Sequence, residues 1–469
     1  MFENKNERYF ALSNSFLLLV EYLAGKQNLT LNKDFSDNFL VTELTTFSVF
    51  ETMIKEIIQL SPNSLININV KDRIMNISYI DYKERSIPLE SKEGLKIIDK
   101  WFDKWGYIIR SLKRKTDNIS FDLSGGFDSR LVFSILLNSG ININKILINS
   151  RYGYSHKYDE DFKIASNISS QLGFKLNNIE IDQNNIIWSR KYSLSSIIYT
   201  KLGFTKNIGS IQNRFYIKPR FFFLGGGGEN LRGIPGYKIL ELMDREASKG
   251  RQIKGHEEEF YNASMRLYNR SVELLKKENS NDNDYEIAAR MYFNSNARCH
   301  FGKGALLGFI INNYPISPLM DPLIRQIKYE ISEKSKQDLI AYIFTRFAPK
   351  LLLFPFDKNR VIDLKSLEKA KKLNKQSSKY KAKTNFNKDF FIDINKKSPF
   401  PKSLNNKDDD NYIGKCLKSF KFRKIINKVY DKSIYNWVFD FSKNTTHIPL
   451  RHKFALFSIA KIIEDISFH

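Results

Sequence analysis

The sequence predicts an α/β protein: a parallel sheet with crossover helices and a helical C-terminal part, preceded by a small α+β module. Three observations predict it. From about residue 93, short β-branched runs alternate with amphipathic stretches at helical spacing, the pattern of strand-helix-strand units. A glycine pair, Gly125-Gly126, falls between such a strand and such a helix, inside the string Ser-Gly-Gly-Phe-Asp-Ser. The chain has 469 residues, enough for two or three domains and a sizeable core.

The elements follow in order. Phe47–Leu60 repeats apolar residues at helical spacing and stops at Ser61-Pro62, so a helix is expected there. Leu65–Val70 and Ile74–Ile80 partly alternate and are β-branched, which reads as a hairpin around Lys71-Asp72. Gly94–Leu112 is an amphipathic helix, and Ile119 opens the first strand of the sheet. Lys145–Ser150 is the second strand and Asn177–Asp182 the third. Between them Asp159–Gly173 reads as a helix, with acidic residues in its first turn and glycine at its end. These elements suggest a module over 1–92 and a larger domain over 93–469. Within the latter, the Lys-rich stretch 364–386 is expected to be a basic, flexible insertion, either a solvated loop or an anion-binding arm. No internal repeat is found.

Composition narrows the classes. Hydrophobic residues make up 42% of the chain, and no run approaches the ~18 apolar residues of a membrane span. The early apolar run Phe16–Val20 follows Glu3 and Glu7 rather than a basic segment, so no secretory signal is expected. Two cysteines, Cys299 and Cys416, exclude a disulfide framework and a Cys-rich zinc site, and a cytoplasmic location is the default. The net charge of +24 has two readings. It fits a polyanionic partner, or it reflects a composition rich in Asn, Ile, Lys and Phe with lysines on solvated faces. The six histidines show no metal-ligand spacing, and His156 in its polar loop reads as a surface residue.

The loop Ser124–Ser129 carries the sharpest chemistry. In a parallel sheet, ligands bind beyond the carboxyl ends of the strands. Glycines let backbone N–H groups converge, and with a helix N-terminus they form a nest for phosphate. Ser124 and Ser129 can add hydroxyl donors. Asp128 would repel a phosphate unless it holds Mg²⁺. No Gly-Lys-Ser/Thr follows, so this is not the P-loop of kinases and GTPases.

Ser-Gly-Gly-x-Asp-Ser resembles the pyrophosphate loop of ATP pyrophosphatases, and the wider pattern resembles the asparagine synthetase family and its amide-forming relatives. Phe221–Tyr237 resembles the family's second active-site loop, Tyr314–Ile327 its later Pro-Phe-Leu-Asp segment, and Arg346–Arg360 the segment with its catalytic lysine. Arg451–Ile466 resembles its closing helix. The resemblance implies the adenine-nucleotide alpha-hydrolase-like fold, ATP and Mg²⁺ as cofactors, and adenylation of a carboxylate followed by attack of an amine or ammonia. It implies that Ser124, Gly125, Gly126, Asp128, Ser129 and Gly225 bind the nucleotide and that Asp128 and Glu229 hold the metal. Lys358 is the implied catalytic cation, with Lys350 as the alternative.

Three departures qualify the match. Position 2 is Phe2 rather than the family's catalytic cysteine, and 1–92 looks like a truncated, vestigial glutaminase domain, so nitrogen would come from free ammonia, an amine or a separate glutaminase. Gly226 stands where the family has a glutamate that helps deprotonate the amine, and Asn230 replaces an acidic residue. Arg130 follows the Asp-Ser pair, where it would contact phosphate or substrate, or pair with an acidic neighbour. The carboxylate substrate is left open among small molecules, sugar acids and peptides. An RNA-modifying adenylating enzyme and a non-catalytic nucleotide-binding scaffold are the competing readings, although nucleic acid is not the expected partner.

Overall fold

A computed structural model of the chain describes residues 1–4, 9–42, 45–61, 64–69, 71–72, 74–79, 87–150, 159–178, 186–188, 198–199, 202–206, 214–216, 218–228, 231, 237–278, 282–302, 308, 312–328, 337–377, 409–444 and 449–467. Its centre is a five-stranded sheet. The strands are β1 (Ile119–Asp122), β2 (Leu147–Ser150), β3 (Leu176–Asn178), β4 (Arg220–Phe223) and β5 (Asn313–Ile316). Every pairing is parallel and the spatial order is β5-β4-β1-β2-β3. The chain runs outward from β1 to β3, then returns to the other side of β1 to lay down β4. The strand order therefore reverses between β1 and β4, the position where open α/β sheets bind ligands.

β1 and β4 bury apolar side chains under the covering helices. Phe121 on β1 and Phe223 on β4 are register partners with rings stacked at 4.5 Å, and both are fully buried. Helices α1 (Lys92–Lys115), α2 (Phe127–Asn138) and α4 (Asp338–Phe347) pack on one another, while α3 (Asp159–Leu172) lies on β2 and β3. Ser91 caps α1 by accepting the Gly94 N–H at 2.9 Å. α3 ends at Gly173 with φ 72°, the left-handed cap that its sequence predicts.

A second core lies beside the first. It joins the N-terminal helices Phe16–Leu23 and Lys33–Val41 to the helix Glu257–Glu278 and the C-terminal helix Pro449–Ser467. The first sixty residues are thus not a unit with a core of their own; their apolar side chains share one cluster with residues 239–291 and 413–463.

Two local expectations are corrected. Phe47–Leu60 is not helical. Its Thr52 hydroxyl donates to the Ile54 and Ile57 carbonyls at 2.8 and 2.7 Å, and Ser48 accepts the Glu51 N–H at 3.1 Å, so side chains take the backbone partners a helix needs. The first half of the expected flexible insertion is instead a helix, α5 (Leu364–Gln376). It buries Ser366, Ala370 and Leu373 against α4, a stripe too narrow to stand out among the lysines. Residues 378–386 of that stretch lie outside the described residues. The hairpin forms as expected, Ser64–Asn69 pairing antiparallel with Ile74–Tyr79. No helix among the described residues is long and apolar enough to cross a membrane.

Candidate functional site

β1 ends at Asp122, and the Leu123 N–H still bonds the Asn149 carbonyl of β2 at 2.8 Å. The chain then turns through Ser124–Gly126 into α2. Gly126 is the N-cap of α2 and contributes no side-chain cap to the first-turn N–H groups. The two serines brace the turn: their hydroxyls are 2.8 Å apart, and Ser129 Oγ accepts the Ser124 N–H at 3.0 Å. Ser124 Oγ also accepts the Gly126 N–H at 3.2 Å.

The glycines are required by close approach. A Cβ on Gly125 would stand 2.8 Å from Ile164 Cδ1 and 3.0 Å from the Asp161 carboxylate. A Cβ on Gly225, just past β4, would stand 2.6 Å from the Ser129 nitrogen, and one on Gly228 would overlap the Asp128 carboxylate. The loops after β1 and β4 therefore touch at the switch point, with Asp128 beneath the second loop. The Ser317 hydroxyl, following β5, donates to the Gly226 carbonyl and anchors that loop from the other side. Glu229 and Asn230 are the next residues and lie outside the described residues, as does His156.

The Arg346–Arg360 segment reaches the same place. The Asp357 N–H donates to the Gly125 carbonyl at 3.1 Å, and the Lys358 N–H to the Glu160 carboxylate at 3.1 Å. Lys358 and Asn359 both have positive φ, 56° and 53°, a conformation that costs a non-glycine residue roughly 1 kcal/mol or more. The side chain of Lys358 is exposed, on a turn whose backbone is bonded to the first loop's neighbourhood. Lys350, the alternative, is also exposed, but it sits on the separate turn Pro349–Leu353.

Arg130 turns into the protein, where Asp357 and Asp161 favour its charge. It is fully buried, and its guanidinium donates to the carbonyls of Leu351 at 3.4 Å, Phe354 at 3.2 Å and Pro355. It also lies over the Phe356 ring at 4.2 Å, and burial lowers its pKa to about 10. Arg130 thus ties the start of α2 to the segment that carries Asp357 and Lys358.

Two charged residues at the loop carry no signal in the motif. Asp161, on α3, accepts the Gly125 N–H at 2.8 Å. Burial raises its pKa, with Asp357 and Glu160 adding like charge against the N–H bond that opposes them. Arg360 pairs with Asp357, and its Nη2 is 3.5 Å from the position of a Gly126 Cβ. Arg360 thus supplies a cation at the mouth of the turn. Its sequence position, at the end of a segment already singled out, was the one available hint.

The arrangement gathers an uncapped helix N-terminus, two hydroxyls, a guanidinium and carboxylates at one sheet edge. That combination suits a polyphosphate carried with a divalent cation. Among the described residues no three acidic, histidine or cysteine side chains converge enough to hold a metal alone. No family model and no curated protein matches this chain.

Proposed function

We propose that the protein is an ATP-dependent amide-forming ligase that adenylates a carboxylate and passes the acyl group to an amine or ammonia. One observation carries the reading: the loops holding Gly125 and Gly225 meet at the reversal of strand order between β1 and β4. The glycines let the two loops approach closely at the place where open α/β sheets bind ligands.

In this reading, the turn Ser124–Ser129 and Gly225 receive the triphosphate of ATP. A carboxylate oxygen of the substrate bonds the α-phosphorus and pyrophosphate leaves. The amine then bonds the acyl carbon and AMP leaves, giving the amide. The first-turn N–H groups of α2 and the Arg360 guanidinium offset charge on the departing pyrophosphate. Lys358 supplies a further cation from its exposed turn. Asp128 would hold Mg²⁺, with Glu229 as its partner, and the metal would neutralise phosphate charge. The Asp128 carboxylate under Gly228 supports that role, because it is held at the seam of the two loops. Gly226 offers no base, so the amine must arrive neutral or lose its proton to another group. Residues 1–92 carry no cysteine to serve as the thiol that releases ammonia from glutamine, so a separate ammonia or amine source fits this reading.

The test is ATP–pyrophosphate exchange with Mg²⁺ across pooled uronic acids, amino acids and acidic peptides. Exchange should depend on one acid and fall about 10³-fold in Asp128→Ala. ATP binding without exchange would favour the scaffold reading, and failure to bind ATP would overturn the assignment of the Gly125 turn.

A further inference from the structure

A cavity of about 590 Å³ opens between the N-terminal segment and the π-helix Phe293–Gly302. Its wall belongs to the second core: Phe16 and Ile57 are members of that cluster, and Phe204 packs on it. The volume lies within the ~300–1,000 Å³ of small-molecule sites. Leu12 and Ile58 also line it and are 37% and 42% exposed, so apolar surface leads inward from solvent.

The polar wall groups are mostly satisfied by the protein. The Thr52 hydroxyl is taken by two carbonyls. Gln59 donates to the Glu51 carbonyl at 3.3 Å and accepts the Cys299 thiol at 3.7 Å. The Met1 amine donates to the Ile58 carbonyl at 2.8 Å. Arg298 is different. It lines the cavity, and its Nη1 is buried with no hydrogen-bond partner among the described residues. Burial lowers its pKa, and the neighbour that opposes the shift is the Cys299 thiol rather than a carboxylate. A desolvated guanidinium without an anion is costly. It also sits on a π-helix, a distortion that recurs where side chains are aimed for function.

We propose that this cavity binds a monocarboxylate with an aliphatic or aromatic body, the carboxylate on Arg298 and the body against Leu12, Phe16 and Phe204. A carboxylate is the planar acceptor that a guanidinium fork matches, and it restores the neutrality the cavity lacks. The apolar wall selects against small hydrophilic acids. The site stands whether or not the chain adenylates a substrate, since it lies in the other core.

Calorimetric titration of the full chain with octanoate and hydrocinnamate, against octanol as the neutral control, tests this. Both acids should bind at one site, with octanol at least ~10-fold weaker, about 1.4 kcal/mol. Arg298→Met should weaken octanoate ~10–100-fold and leave octanol unchanged. Should that variant fail to fold, Leu12→Glu, at an exposed wall position, sets a fixed carboxylate at the entrance. It should abolish octanoate binding while the thermal midpoint holds. Equal affinity for octanoate and octanol would overturn the proposal. So would undiminished octanoate binding in either variant, or no binding of either acid at millimolar concentration.

Discussion

The sheet core and the helical core are stabilised alike and specified differently. In the sheet core, β1, β2 and β3 follow one another in sequence and lie side by side, as do β4 and β5, and the site lies where the loops after the adjacent strands β1 and β4 meet. In the helical core, residues 2–57 are completed by Leu202, by residues from 239 onward and by the C-terminal helices. Local pattern can therefore announce the first and not the second. The difference also predicts separable behaviour: damage to one core should leave the other measurable.

The largest expected effect is on stability. Phe39 is fully buried in the helical core, stacked on Phe35 with ring centroids at 6.3 Å, and Lys206 Nζ lies 5.8 Å from its ring. Phe39→Ala should cost about 3–5 kcal/mol. Differential scanning calorimetry should show a lowered transition for the helical core while the sheet core's transition stays. A single transition shifting as a whole would show that the two cores unfold as one cooperative unit.

Next comes the seam of the two loops. Gly228→Ala places a methyl on the Asp128 carboxylate. Displacing that group by about 1 Å should lower ATP–pyrophosphate exchange by roughly 100-fold. The cores are untouched, so both thermal transitions should hold. Retained exchange would mean that Asp128 does not need its place under the second loop.

These two sites also mark what the sequence discloses. The turn Ser124–Ser129 is legible because its constraint is local: a strand, a helix and glycines between them. Arg360 and Asp161 are not, because their closeness to Gly125 and Gly126 is created by folding. Arg130 sits inside the motif, yet its three carbonyl partners lie more than two hundred residues away, so no local reading could separate a structural tie from a phosphate contact. Phe47–Leu60 misleads for another reason. Its apolar spacing is real, but Val49, Met53, Ile54 and Ile57 are buried in an irregular chain whose hydroxyls replace helical hydrogen bonds. In α5, lysines mask a short apolar stripe whose partner is α4. The shared core of the N-terminal and C-terminal helices leaves no periodic trace at all.

A smaller effect separates the cores by pH. His452 is buried in the helical core with Nδ1 2.8 Å from the Leu40 carbonyl. Burial, with Lys206 and Arg451 adding positive charge, lowers its pKa from 6.5 to about 3. The unfolded imidazole takes a proton below pH 6.5 that the folded one refuses until about pH 3. Stability is thus fully present above the unfolded value and falls with acid across that window, by at most ~1.4 kcal/mol per pH unit. His452→Gln should flatten the acid limb of the helical transition measured by thermal melts at stepped pH. An unchanged limb would assign acid sensitivity to other groups.

The smallest effect concerns how the N-terminal segment is fastened to the helix Glu257–Glu278. Arg270 reaches Asp34 at 2.9 Å and grips Glu51 with two bonds of 2.7 and 3.0 Å, while Arg266 joins Asp34 at 2.7 Å. Burial works against ionisation of Asp34, yet the two arginines hold its pKa below the usual range. The arginines are 58% and 41% exposed at Arg266 and Arg270, so water screens much of the attraction. Arg270→Ala should therefore cost only about 1 kcal/mol. That is a few degrees in the helical transition, disappearing near 1 M salt, where the screening length is ~3 Å. The sheet transition should not respond. A loss that survives high salt would show that the arginine stem, rather than its charge, fastens the segment, and the apolar cluster of Phe35, Phe39 and Tyr268 would then need the stem as part of its wall.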